Sequence, residues 1–151
     1  GYDIHLYICG NTNRIEQTIL DKRVAELNLS SNITFLGYVE NALNYVSAAD
    51  IFVQSSMDEA FGVSILEALF LNKRIAVTTP AGVIEFVSKF HEFLPPGNPE
   101  ALGKKIILEL DSLENTCLKC TQAKHNYLAD NFDFNRTALG YRSVYQNLIL
   151  N

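Results

Sequence analysis

Tryptophan is absent from this chain, methionine occurs once, and the three cysteines are an odd number. An odd count leaves no closed disulfide framework. The single C-x-x-C, Cys117 and Cys120 in "CLKC", lacks the second pair that a four-cysteine zinc site needs. Cys9 then reads as a strand residue, Cys117 and Cys120 as two small residues on a helix, and the compartment as reducing and cytoplasmic. Lys and Arg form no block and the formal charge is −5, which makes a nucleic-acid backbone or an anionic membrane a poor partner. No apolar run reaches the roughly 18–20 residues that span a bilayer, and no signal peptide opens the chain. An initiating methionine is also missing, so the start at Gly1-Tyr2-Asp3 reads as a piece of a longer protein.

What is present describes a folded globule. Apolar residues make up 48% of 151, with only four prolines and eight glycines, and 151 residues suit one domain with a core of its own. Short β-rich runs alternate with helical patterns. Strands are expected at 3–10 (a buried one), 32–39, 50–56 and 73–80, with a brief fifth at 92–94. Helices are expected at 13–28, 41–49 with Asn41 as N-cap, 62–71, 82–87, 100–111, 113–130 and 134–149, the last two separated near "NFDF". In "PPGNPE", Asn98 reads as an N-cap and Pro99 as the first helical residue. The alternation predicts a single α/β domain over 1–151. It is a Rossmann-like, doubly wound parallel sheet with helices on both faces and C-terminal helices appended. Ligands of such sheets sit beyond the carboxyl ends of the strands, which singles out the loop 55–61.

The stretch "MDEAFGVSILEALFL" (57–71) carries the chemistry. From Gly62 to Leu71 the one formal charge is Glu67, and a carboxylate in so apolar a helix is costly to bury alone. Glu59 lies eight residues earlier, about 12 Å along a continuous helix. That is too far for the ~5–5.5 Å pair of a retaining glycosidase, although the ~6.5–9.5 Å of an inverting one is not strictly excluded. Between the two acids "AFGVS" leads into a helix N-terminus, where free N–H groups and the helix dipole favour a phosphate. Gly62 allows close backbone approach and Ser64 offers a hydroxyl. Carboxylates accept from paired sugar hydroxyls, so the order polyol, diphosphate, polyol fits a nucleotide-sugar. A blander reading stands beside this one: Glu59 in a solvated loop, and Glu67 salt-bridged to a neighbouring helix.

The pattern Glu–seven residues–Glu in "EAFGVSILE" follows "ADIFVQSS" and precedes "ALFLNKRIAVTT". Together with "ITFLGYV" and the closing "FDFNRTALGYRSVYQNLI", it resembles the C-terminal domain of family 4 (group 1) glycosyltransferases of the GT-B fold. The resemblance implies transfer of a hexosyl unit from a nucleotide-diphosphate donor, UDP-type favoured, to an acceptor hydroxyl with retention and front-face attack. It implies surface polysaccharide or glycolipid synthesis, no cofactor and no metal. By position, Glu59 would contact donor-sugar hydroxyls as the catalytic carboxylate. Phe61, Gly62 and Val63 would offer backbone N–H groups to the sugar and diphosphate, with the Ser64 hydroxyl read above beside them, Glu67 would bind the ribose, and Gly37-Tyr38-Val39 the base.

Departures from the family pattern are specific. Asn72 replaces a glycine, at a turn whose positive φ asparagine tolerates. Arg74 replaces a proline and reads as a surface charge. Ala81-Gly82 replaces Gly-Gly, with Glu85 matching the acid that follows. The Arg and Lys that neutralise the diphosphate, and the acceptor-holding N-terminal domain, have no counterpart in this sequence. The implied partners are therefore the donor, that N-terminal domain and a glycan or lipid-linked acceptor, with membrane association only through the domain not present. The chain alone is expected to be inactive.

His5, His91 and His125 lack ligand spacing and read as satisfied or solvent-facing. Tyr127, Phe132, Phe134, Tyr141 and Tyr145 read as packing the last helices onto the body, with part of that surface an apolar interface for the N-terminal domain. An alternative of another class is a non-catalytic Rossmann-like binding or interaction module.

Overall fold

The computed structural model describes residues 2–78, 82–112 and 118–149, without the side chains of 118–120. It falls into two compact units, 1–45 and 46–151.

The first unit is a parallel strand pair joined by a helix. β1 (Leu6–Cys9) pairs with β2 (Ile33–Gly37) from Leu6↔Ile33 onward, with an irregularity between Ile8 and Cys9. The connection is α1 (Arg14–Glu26), opened by a capping box. Asn13 Oδ1 accepts from Glu16 N–H at 2.9 Å while Glu16 Oε2 accepts from Asn13 N–H at 3.3 Å. The helix closes on Asn28 at φ 56°, whose N–H donates to Ala25 O, and Leu29 N–H donates to Val24 O. These two bonds form a Schellman motif, with asparagine where glycine is usual. The buried first strand expected from "DIHLYICG" is not observed: Leu6 is 40% and Tyr7 57% exposed. Two strands and one helix cannot cover both faces of the pair, and no described residue up to position 45 is buried.

The second unit holds the core. α2 (Ala42–Ala48) leads to β3 (Ile51–Gln54), which pairs in parallel with β4 (Arg74–Val77) from Ile51↔Arg74 to Gln54↔Val77. The crossover is α3 (Val63–Phe70). Its Ile65, Leu66, Ala68 and Leu69 are buried with Ile75 and Val77 of β4, with Val83 and Val87, and with Leu128. The turn out of α3 repeats the device that ends α1. Asn72, at φ 56°, donates to Leu69 O, and Lys73 N–H donates to Ala68 O. The positive φ expected at Asn72 is therefore present. The fifth strand expected at 92–94 is not formed. One backbone bond, Leu94 N–H to Val77 O at 3.0 Å, lays that segment along β4, and Phe93 packs on the core.

Beyond α4 (Ile84–Val87), α5 (Pro99–Asp111) starts as expected: Pro99 is at the first turn and Asn98 Oδ1 accepts from Ala101 N–H at 2.9 Å. α6 (Leu118–Phe132) and α7 (Phe134–Ile149) are separated at Asp133. Asp133 Oδ1 caps α7 by accepting from Asn135 and Arg136 N–H at 2.6 and 3.1 Å. Cys117 lies outside the described residues, and Cys9 is a free, exposed thiol. Tyr127 and Phe132 pack as expected, against Phe90 and Phe86 respectively. Phe134, Tyr141 and Tyr145 do not: they are 82%, 62% and 61% exposed, because α7 buries no residue.

Two polar residues also depart from expectation. Arg74 is not a surface charge. Its guanidinium donates to Glu109 Oε2 at 3.2 Å, to Ser112 Oγ at 2.7 Å and to the Ser112 carbonyl, tying the start of β4 to the end of α5. Lys105 approaches Glu109 Oε1 at 2.9 Å. Burial alone would raise the Glu109 carboxyl, but the Lys105 and Arg74 hydrogen bonds outweigh it and hold the group below the usual range. His91 is neither satisfied nor solvent-facing, since its Nε2 is buried and has no hydrogen-bond partner among the described residues. Its pKa falls to about 4, first by desolvation and then by the Lys124 charge, with Glu109 opposing and Lys105 adding to the drop.

Two expectations follow. Arg74→Ala leaves Glu109 half-compensated, and it should lower the unfolding free energy by about 2 kcal/mol, read from the urea midpoint; no change would remove the tie from the account. His91 has a folded pKa of about 4 against an ordinary 6.5, so between those values the unfolded chain binds the extra proton. Stability should fall on acidification below about pH 6.5 and level off below about pH 4, for a total of roughly 3 kcal/mol. Urea midpoints of His91→Leu at pH 7 and pH 5 should differ less than those of the wild type.

Candidate functional site

At the carboxyl end of β3 and β4, Thr78 fixes the rim. It is 3% exposed, its N–H donates to Gln54 O at 3.1 Å, and its Oγ1 donates to Ser56 O at 3.0 Å. A polar residue buried this deeply satisfies itself on backbone carbonyls and holds the loop leaving β3. Further along, Gly82 N–H donates to Ala60 O at 3.2 Å and Val83 N–H to Phe61 O at 2.9 Å. A Cβ at Gly82 would sit 3.0 Å from Phe61 Cδ2. A side chain at Gly82 would press on the Phe61 ring, which would have to give by a few tenths of an ångström; Ala81 lies outside the described residues. Phe61 also meets Phe132 edge-on, with ring centroids 6.3 Å apart.

Gly62 turns this loop into α3. It adopts φ 87° and ψ 48°, which a residue with a Cβ reaches only with strain. Its carbonyl accepts from Ile65 and Leu66 N–H at 3.1 and 3.3 Å. Among the described residues the N–H groups of Gly62, Val63 and Ser64 have no acceptor, and no side chain caps the helix. An uncapped helix start at the strand rim concentrates partial positive charge where an anion can meet it.

The two glutamates flank this turn in sequence. Glu67 stands one helical turn beyond Val63, on the narrow side of α3 that the buried residues leave wet. It is half-buried, and among the described residues its carboxylate has no hydrogen-bond or ion-pair partner. The salt bridge to a neighbouring helix that would have explained it in structural terms is absent among those residues.

Glu59 is engaged: Gln54 Nε2 donates to its Oε2 at 2.7 Å, and Ser64 Oγ donates to Gln54 Oε1 at 2.8 Å. Because an ionised carboxylate only accepts, Glu59 sets the direction of both bonds. The Ser64 hydroxyl proton is therefore directed at Gln54, and the residue's free donor is its backbone N–H. Sequence reading missed Gln54 and Thr78. Each is the polar residue closing an apolar run, in "IFVQ" and "IAVT", a signal legible once the carboxyl rim is the focus.

The remaining candidates lie in the first unit. Gly37, at φ 65°, ends β2 and accepts Gly10 N–H at 2.8 Å; Tyr38 beyond it is 73% exposed, followed by Val39. Beside Thr78 a cavity of about 150 Å³ opens between Met57, Asn98 and Leu102. It is smaller than the roughly 300–1,000 Å³ of ordinary ligand clefts. Among the described residues no three His, Cys, Asp or Glu side chains converge as metal ligands.

Comparison with known proteins agrees with this architecture. The model of the family "Glycosyl transferases group 1" matches residues 1–126. A mannosylfructose-phosphate synthase of Agrobacterium fabrum is 35% identical over 108 residues, covering 66% of this chain and 24% of that protein. An N,N'-diacetylbacillosaminyl-diphospho-undecaprenol alpha-1,3-N-acetylgalactosaminyltransferase of Campylobacter jejuni is 32% identical, over 81% of this chain and 32% of its own length. Among solved structures, a glycosyltransferase from Rickettsia africae superposes with a TM-score of 0.84 at 24% identity, over 98% of this chain and 41% of that one. Anabaena HepE in complex with UDP gives 0.81 at 19% identity, over 95% and 41%. The chain thus spans between a quarter and two fifths of these proteins, and its fold is that of GT-B C-terminal domains. It belongs to the group 1 glycosyl transferases.

Proposed function

We propose that this chain is the donor-binding part of a retaining hexosyltransferase. The observation that carries the reading is the uncapped start of α3: among the described residues the N–H groups of Gly62, Val63 and Ser64 have no acceptor, and the Glu67 side chain one turn further on has no partner. Those amides would take the donor diphosphate, which is the leaving group. Fixed N–H dipoles stabilise the charge that develops on it without reorganising. Glu67 would accept from the ribose hydroxyls. The free oxygen of Glu59 would accept from the donor sugar, which makes Glu59 the carboxylate nearest the reacting carbon. Phe61 belongs to the same strip through its backbone and its ring.

A UDP-type donor is favoured because HepE, of similar fold, was solved with UDP. The Campylobacter jejuni relative, whose name carries a diphospho-undecaprenol, supports a glycan or lipid-linked acceptor, bound by a part of the enzyme that this chain does not supply. The reading assigns no cofactor and no metal. The cytoplasmic setting inferred from the cysteines belongs to the proposal; among the described residues no helix is long and apolar enough to cross a membrane.

Two measurements test this reading. In a thermal-shift panel of nucleoside diphosphates and their sugars, at least one UDP-type ligand at 100 times its dissociation constant should stabilise the chain by about 2.7 kcal/mol. Glu67→Ala should abolish that shift while keeping the circular dichroism of the wild type, and an unaltered titration in the variant would favour a non-catalytic module. Residues 1–151 alone should release no sugar to acceptor or water; turnover by the purified chain would contradict the assignment of the acceptor site to another part.

A further inference from the structure

We propose that Gln54 is a positioning residue that aims the Glu59 carboxylate at the donor sugar. This rests on the donor-binding reading of the site. Gln54 is the last residue of β3, and the buried Thr78 holds its carbonyl through a backbone bond of 3.1 Å. From that fixed base its side chain reaches two other elements, the loop at Glu59 (2.7 Å) and the first turn of α3 at Ser64 (2.8 Å).

Both ends of the amide are used, and the carboxylate dictates which end faces which partner. Glu59 Oε2 is thereby occupied, and Oε1, which has no partner among the described residues, is left for a ligand hydroxyl. The backbone on the C-terminal side of Glu59 is pinned separately, through Ala60 O and Phe61 O to Gly82 and Val83. Gln54 therefore governs the direction of the carboxylate and not the path of the loop.

An apolar residue would match Ile51, Phe52 and Val53 of the same strand and would serve the fold as well. It would leave the carboxylate to rotate into water, and the donor sugar would lose a preoriented acceptor. The diphosphate would lose no direct partner, since Gln54 meets α3 at the Ser64 hydroxyl and at none of the amides assigned to the diphosphate. Gln54 thus acts chiefly on the sugar end of the donor.

The test compares dissociation constants for a nucleotide sugar and for its own nucleoside diphosphate, measured by calorimetry on the 151-residue chain. UDP-glucose, UDP-N-acetylglucosamine and GDP-mannose are screened, and the tightest is used. Gln54→Leu removes the amide, and Gln54→Met keeps its length without a charge while removing the N–H donor to Glu59. Both variants should raise the ratio of the two constants about tenfold, with diphosphate affinity and melting temperature close to wild type. A wild-type ratio in both variants would overturn the positioning role and leave the donor-binding reading intact. Equal weakening of sugar nucleotide and diphosphate would show a structural role only, and would also overturn it. A wild-type chain that binds none of the probes would overturn the reading of the site and this proposal with it.

Discussion

Burial of one face of α3 is the constraint from which the rest of the second unit follows. Ile65, Leu66, Ala68 and Leu69 are removed from water against β4, Val83, Val87 and Leu128, and four such side chains supply several kcal/mol of hydrophobic stabilisation. The packing leaves the helix no freedom to rotate. Its wet side is consequently fixed, and so is Glu67, the residue that looked anomalous in an apolar segment. The carboxylate is tolerated because it is half-exposed, and among the described residues no cation pairs with it.

Around that helix the ends are set by backbone chemistry. Gly62 opens it in a left-handed conformation and Asn72 closes it in another. Neither terminus recruits a side-chain cap to its first turn or a cation to its last. At the C-terminus the Schellman bonds satisfy the carbonyls internally. At the N-terminus the amides find no acceptor among the described residues, and the asymmetry leaves binding capacity at the end that faces the carboxyl rim of the strands.

Much of this was legible in the sequence. Helix boundaries at Asn98-Pro99, at Asn72 and around "NFDF" followed from cap and turn chemistry, which is local. The α/β alternation gave the parallel pairing. The limits are physical as well. "DIHLYICG" has the composition of a buried strand, but burial depends on what lies over the strand, and composition does not encode that. Arg74 could not be distinguished from a surface charge, because its partners Glu109 and Ser112 lie 35 and 38 residues away. His91 looked ordinary because desolvation is a property of the packed state. In the site, the two glutamates stood out as charges in apolar surroundings, whereas Gln54, neutral and at a strand end, drew no notice. Its part emerges from distances to Glu59 and Ser64 that no spacing rule contains.

The central claim is that the open amides at the start of α3 receive a diphosphate, and its most direct test is residue-resolved. Amide ¹H–¹⁵N spectra of the chain titrated with UDP should show the largest displacements at Gly62, Val63 and Ser64, with smaller ones at Glu67. Displacements confined to the cavity beside Asn98 and Leu102, with the amides of 62–64 unmoved at saturation, would contradict it.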